Sequence, residues 1–436
     1  MDLLLSGVTA VTMGELQVTV ATSSIRNAYI GITDGKISHL SDKPPSGQAK
    51  RTLHRPHWVV MPGLVNAHTH LPMTLLRGYA DDLPLQPWLF EHIFPIEAKM
   101  RPQDLEVGTL LALAEALAGG VTSVTDMYTP INIVPCVAQV GMKANSARGV
   151  LCLNDNWDFE QADGVREMKQ VLRDWHGYDN GRIAIDACIH AEYTSPPEAW
   201  RDVAAFAKEN ELRLQVHISE TEKEHVECIA RRGKTPTQVL AKQGIFDVPV
   251  TVGHGVWLTN EDMQILADKQ ATIAHCPASN MKLASGIARL DAMQNVGLNV
   301  ALGSDGMASH NAMDMFADMK LAALLQKVNR RDASALPAHE CLKMATANGA
   351  KSQGREDGQL KIGHDADLVI LDFDKPHLTP CFNPMSHLVY ATKASDVVMT
   401  LVRGKVLYEQ GEFATIDMEQ VKWQLRNRVL PHLYGN

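Results

Sequence analysis

The chain has 436 residues, 45% of them hydrophobic and 21% charged, a composition that excludes a mainly disordered protein. Lys and Arg total 41 against 50 Asp and Glu, for a net charge of −9. With no basic run standing out, a phosphate-backbone binder is a poor first reading.

The length accommodates about three domains, or one α/β barrel of about 250 residues with a companion. No basic residue precedes Arg26, and the apolar stretch at 108–121 is interrupted by Glu115, so neither a secretory signal nor a membrane span is expected. Seven scattered cysteines without a CxxC pair suit thiols in a reducing compartment. The expectation is a cytoplasmic protein with neither membrane nor nucleic acid as partner.

In chain order, short β-type runs come first, at 3–12, 17–22 and 28–33, punctuated by Gly, Asp, Ser and Pro. The pattern returns at 367–371, 396–402 and 405–408. Neither end suffices for a domain alone, so residues 1–58 and 366–436 are expected to share one small β-sandwich. Between them, over 59–365, apolar runs alternate with helical patterns. The runs fall at 58–65, 121–126, 148–153, 183–190, 212–217, 250–254, 271–275 and 298–303. Helical patterns follow several of them, at 102–118, 197–210, 222–232, 260–269 and 312–328. Alternation argues for a parallel sheet, and eight repeats argue for closure into a (β/α)8 barrel of the α/β class. The long connection after the first run suits a functional insertion.

Chemistry in such a barrel sits at the C-terminal ends of the strands. The first run leads into His68-Thr69-His70, whose spacing of two sends both imidazoles to one face of an extended chain. The fifth ends at His217, with Glu220 on the turn beyond. Gly253-His254-Gly255 and Ser304-Asp305-Gly306 end the sixth and eighth, where glycines permit close backbone approach. Singly these signals are weak. An HxH pair is common, Glu220 reads as well as a solvated loop carboxylate, the glycine-flanked residues read as turns, and His275 stands evenly between core and site. Together, His68, His70, His217 and Asp305 supply three nitrogens and one oxygen on one face, matching a catalytic divalent-metal site that keeps a position for water.

These residues resemble the amidohydrolase superfamily, and within it the methylthioadenosine/S-adenosylhomocysteine deaminase branch related to triazine chlorohydrolases. The most specific blocks are Pro62-Gly63-Leu64-Val65-Asn66-Ala67-His68-Thr69-His70, Thr74-Leu75-Leu76-Arg77-Gly78-Tyr79-Ala80-Asp81-Asp82-Leu83-Pro84, His217-Ile218-Ser219-Glu220 and His275-Cys276-Pro277-Ala278-Ser279-Asn280-Met281-Lys282-Leu283. The resemblance implies a TIM-like barrel with a sandwich built from both termini. It also implies one divalent metal, zinc first among the candidates, on His68, His70, His217 and Asp305. Relatives with two metals bridge them by a lysine on strand four. Residues 183–190 contain none, so a mononuclear site follows.

By the same resemblance the reaction is hydrolytic deamination of a purine nucleoside at carbon 6. Asp305 would take the water proton, Glu220 would protonate the neighbouring ring nitrogen, and His254 would hold the nucleophile. Trp88 and Glu97 map onto the long first loop, with Glu97 accepting from the ribose hydroxyls. His190 would bond the purine, and Arg148 would meet the far end of the substrate. Assemblies of this family are commonly dimers or tetramers, so a homo-oligomer is implied.

Two departures bear on substrate. The family's Pro-His-Ala-Pro-Tyr-Thr is here Ile189-His190-Ala191-Glu192-Tyr193-Thr194, which adds a charge. Arg148 is the only arginine between Arg101 and Arg166, whereas a homocysteine carboxylate favours paired arginines. Methylthioadenosine is therefore the expected substrate, with S-adenosylhomocysteine or adenosine weaker. The rival readings are an aminohydrolase or chlorohydrolase of a sugar-free ring (triazine, guanine or pterin), for which Glu97 would be pointless, and a metal-free scaffold, which should lack ligands that are present here.

Overall fold

A computed structural model describes residues 1–14, 24–153 and 156–435. The run expected at 17–22 lies outside the described residues. Parallel pairing joins Leu64–His70, Val121–Tyr128, Lys143–Arg148, Ile183–Ala191, Leu214–Ile218, Val250–His254, Thr272–His275 and Asn299–Leu302 in chain order. The eighth strand breaks at Gly303-Ser304 and resumes as Asp305–Gly306, which pairs with Thr69 and His70 of the first strand. That continuation closes the ring. Inside it, Ala67, Ala274 and Ala301 touch, small side chains admitting close approach of the first, seventh and eighth strands.

Two strands lie elsewhere than expected. The run at 58–65 is not one barrel strand: Trp58–Pro62 belongs to the terminal sheet, and the barrel begins at Leu64. Gly63 makes the change of sheet possible, since a Cβ there would fall 2.2 Å from the Thr122 side chain. The third strand is Lys143–Arg148 rather than 148–153. Its sequence carries no apolar run because Lys143 and Asn145 are buried against polar partners brought from elsewhere in the chain. Lys143 Nζ meets Asp357 at 2.5 Å, Asp367 at 2.6 Å and Asp365 at 2.9 Å. Asn145 donates to Asp186 at 2.9 Å and accepts from Arg355 at 2.6 Å. The apolar residues that follow make only a bridge from Val150 to Ile189, and Leu153 is 65% exposed.

The terminal strands form one mixed sheet. Leu3–Val11, Ser24–Thr33, Lys36–Ser41, Arg51–His54 and Trp58–Pro62 come from the N-terminal side. Leu368–Asp372, Val397–Val402, Lys405–Glu409 and Glu412–Phe413 come from the C-terminal side. Period-two patterning separates its faces. Trp58, Val60, Leu368 and Ile370 enter the sheet's own core, while Val59, Met61, Val369 and Leu371 pack on the barrel. The sheet folds over on itself, for the Gly404 turn beyond Val397–Val402 meets Ile32 and Gly35 from its opposite end. That is the expected sandwich.

The connection after the first barrel strand folds as short turns, Leu71–Leu76, Leu85–Pro87, Trp88–Ile93 and Phe94–Glu97, before the helix Pro102–Ala118. Met73, Leu76, Trp88, Leu89 and Ile93 pack with Leu283 and Ala308. Among the described residues no helix is long and apolar enough to cross a membrane.

Candidate active site

The C-terminal strand ends bring the expected ligands together. His68 Nε2 lies 3.1 Å from His217 Nε2, and Asp305 Oδ1 lies 3.1 Å from His70 Nε2 and 3.7 Å from His68 Nε2. Close packing here depends on two glycines: a Cβ on Gly303 would lie 2.8 Å from His68 Cβ, and one on Gly253 would lie 3.1 Å from His217 Cδ2. His254 and Asp305 take φ of +69° and +65°, left-handed values that cost a non-glycine residue about 1–3 kcal/mol. That strain turns both side chains into the barrel mouth.

Hydrogen bonding fixes the tautomers. His70 Nδ1 lies 2.6 Å from the Met127 carbonyl and His217 Nδ1 lies 2.8 Å from the His190 carbonyl. Carbonyls only accept, so each Nδ1 carries the proton and the neutral ring offers a lone pair at Nε2. Burial and neighbouring rings push His68 and His217 well below the ordinary histidine range. His70, despite its burial, is raised to about 9 by Asp305, so its Nε2 lone pair becomes available to a cation only when that proton is displaced. Asp305 is itself pulled well below the carboxylate range, His70 and His254 outweighing its burial. Lone pairs at 3.1 Å beside an ionised carboxylate are a donor set that a divalent cation fits.

The groups expected to move protons border this cluster. Ser279 and Ser309 donate to Asp305 Oδ2 at 2.6 and 2.9 Å, leaving Oδ1 toward the histidines. His254 Nδ1 is held by Asn280 Oδ1 at 2.9 Å, and its Nε2 faces Glu220 Oε2 at 3.8 Å. The fifth strand stops at Ile218, Ser219 turns at φ +50°, and Glu220 follows on the turn with its carboxyl raised by burial. Glu224 secures that turn, its carboxylate accepting from the Ser219 and Glu220 amides at 2.8 and 2.7 Å. Burial pushes Glu224 up to about 7. Ser279, Asn280, Ser309 and Glu224 had no role assigned from sequence. Ser279 and Asn280 lie in the motif block at 275–280, Glu224 is the fourth residue of the capping pattern Thr221-Glu222-Lys223-Glu224, and Ser309 carried no signal.

A cavity of about 470 Å³ opens over the cluster. Trp88, Glu97, Arg148, His190, Tyr193, Glu220, His254 and Asp305 all line it, with Leu85, Leu89, Phe94, Met100 and Leu105. The Glu97 carboxylate accepts from the Tyr128 hydroxyl at 2.5 Å. Burial raises Glu97, against the pull of Tyr128, His70 and Arg148. Burial likewise lowers His190 to about 3, so it presents a neutral ring. Arg148 Nη1 donates to the Tyr128 carbonyl at 3.1 Å. His275 is not among the lining residues: its ring is 1% exposed, and neither nitrogen has a partner among the described residues.

Comparisons with known proteins show the family of the chain. The amidohydrolase family model matches residues 59–407. A 5'-deoxyadenosine deaminase of Methanosarcina barkeri is 43% identical over 399 residues, 91% of each chain. A 5-methylthioadenosine/S-adenosylhomocysteine deaminase of Thermoanaerobacter pseudethanolicus is 38% identical over 432 residues, 98% of each chain. The crystal structure of an adenosine deaminase from Xanthomonas campestris with bound zinc superposes with a TM-score of 0.90 at 32% identity, covering 98% of both chains. With its barrel, its terminal sandwich and its cluster of histidines and aspartate, the chain belongs to the amidohydrolase family.

Proposed function

We propose that the protein hydrolytically deaminates 5'-deoxy-5'-substituted adenosines, methylthioadenosine and 5'-deoxyadenosine foremost, releasing the inosine analogue and ammonia. The observation that carries this reading is Glu97, a carboxylate set in a largely apolar cavity and bonded to Tyr128 at 2.5 Å. A charged acceptor there suits two adjacent ribose hydroxyls and has no task against a flat, sugar-free ring. The relatives named for deaminases of 5'-modified adenosines support the same substrate class.

His68, His70, His217 and Asp305 are the residues that would hold one divalent metal, zinc by likeness to the zinc-bound relative. When bound, such a metal lowers the pKa of water to about 7 and so makes a nucleophile available at neutral pH. The protein's own residues do the rest. Trp88 and Leu89 cover the ring, Glu97 binds the ribose, and neutral His190 meets the purine edge. Asp305, oriented by Ser279 and Ser309, takes a proton from the attacking water, which His254 keeps in line. Glu220, raised by burial, protonates the ring nitrogen beside the reacting carbon, so negative charge does not accumulate there. The proton taken from water is delivered through Asp305 or Glu220 to the amino group, which leaves as ammonia as the carbon–nitrogen bond breaks. The hydroxyl on the same carbon gives up its proton to the ionised Glu220 to form the carbonyl of the inosine analogue.

Turnover of methylthioadenosine, 5'-deoxyadenosine, adenosine, S-adenosylhomocysteine and a chlorinated triazine, followed by loss of chromophore and ammonia release, tests the reading. Preference for the first two supports it. Turnover confined to the triazine would refute it.

A further inference from the structure

Arg148 is the only Lys or Arg among the described residues that line the cavity, and it is already paired. Its Nε lies 3.1 Å from Glu167 Oε2, and its Nη1 donates to the Tyr128 carbonyl at 3.1 Å. The Glu167 side chain is 16% exposed and that of Arg148 28%, so the pair is screened far less than one in open water. Glu167 stands on the helix Asp163–Trp175, and its other oxygen accepts from the Ile131 amide at 3.2 Å, which holds the carboxylate against the arginine. Leu105, Leu151 and Leu153 complete an apolar lining at the same cavity.

We infer that Glu167 is a specificity-determining residue: by neutralising Arg148 from outside the cavity, it denies a carboxylate on the 5'-substituent its counter-charge and leaves the site selective for substituents without one. This deepens the proposed reaction and rests on it. A substrate carboxylate approaching Arg148 meets one cation backed by one anion, and the field of that pair falls off faster than that of a lone guanidinium. A methyl or methylthio group needs no counter-charge and gains only apolar contact. Glu167 acts through Arg148 and touches no reacting atom.

The test compares kcat/KM for S-adenosylhomocysteine and methylthioadenosine in the metal-loaded wild-type enzyme and in E167Q, E167D and R148M. The discriminating readout is the ratio between the two substrates, because damage to the fold lowers both together. Glu167→Gln should raise the ratio in favour of S-adenosylhomocysteine by about tenfold, mainly through KM. Glu167→Asp, which keeps the charge, should restore a ratio near that of wild type. In R148M the ratio should fall or hold. A ratio that is unchanged or lowered in E167Q overturns the inference while the deaminase reading stands, since it would mean that Glu167 orients Arg148 for carboxylate capture. Absence of turnover on every adenosine derivative overturns the deaminase reading, and this one with it.

Discussion

Replacing Glu97 by Gln tests the ribose contact with almost no change in shape. One Glu97 oxygen is engaged by Tyr128 at 2.5 Å, and the carboxylate borders the cavity in which the nucleoside is proposed to sit. Hydrogen bonds to a charged acceptor contribute about 1.5–3 kcal/mol each, against about 0.5–1.5 for neutral ones. Converting two ribose bonds from charged to neutral, with one acceptor lone pair kept by Tyr128, removes about 2–3 kcal/mol. In kcat/KM that is a loss of roughly 30- to 150-fold. The assay runs adenosine and 2',3'-dideoxyadenosine side by side on wild type and E97Q, following loss of the adenine chromophore. The penalty should appear with adenosine and largely vanish with the dideoxy compound, which has no hydroxyls to lose. An equal penalty on both substrates would refute the ribose role and make Glu97 a structural partner of Tyr128.

Glu224→Ala strands the buried amides of Ser219 and Glu220, so Glu220 loses its position. In steady-state kinetics kcat should fall about 10- to 100-fold with KM changed much less. Lys143→Met leaves Asp357, Asp365 and Asp367 facing one another without their shared cation, and urea unfolding should show a loss of about 3–5 kcal/mol. Burial raises the Asp365 carboxyl, but Lys143, Lys36 and Arg403 outweigh it and hold the group well below the ordinary range. A depressed folded-state value means stability that is present above the unfolded pKa and lost as pH falls. Asp365→Asn should therefore destabilise the protein near neutrality, and the gap from wild type should shrink as unfolding is measured at pH values descending below about 4. Stripping divalent metal with a chelator should abolish deamination and lower Tm, with both restored by zinc, because a ligand bound only to the native state stabilises it. An unchanged Tm together with retained turnover would exclude a metal on His68, His70, His217 and Asp305.

Patterns carried by the backbone were legible in the chain itself. Apolar runs alternating with helical periodicity announced the barrel, since a parallel strand buried on both faces must be apolar along its length. His68-Thr69-His70 announced its own geometry, because period two is a property of any extended chain. Where apolar runs misled, polar burial was the cause. Lys143-Ala144-Asn145-Ser146 looks like surface, and only the convergence of Asp357, Asp365, Asp367 and Arg355 from over two hundred residues away makes it a strand interior. Val150 is core but lies beyond the strand end, while Leu151 and Leu153, which look like core, are exposed. The run at 58–65 concealed a change of sheet at Gly63, a position explained by a close approach to Thr122 that no local pattern encodes.

The same division runs through the site. The types of residue at the strand ends pointed to the donor set proposed for a metal, because chemistry restricts which side chains ligate or transfer protons. The tertiary structure alone decided which nitrogen of His70 and His217 faces inward, through the Met127 and His190 carbonyls. It alone aimed Asp305 through Ser279 and Ser309, and it alone set Glu167 against Arg148. These are pairings between segments distant along the chain, and their energies depend on distance and burial, which exist only once the barrel has closed.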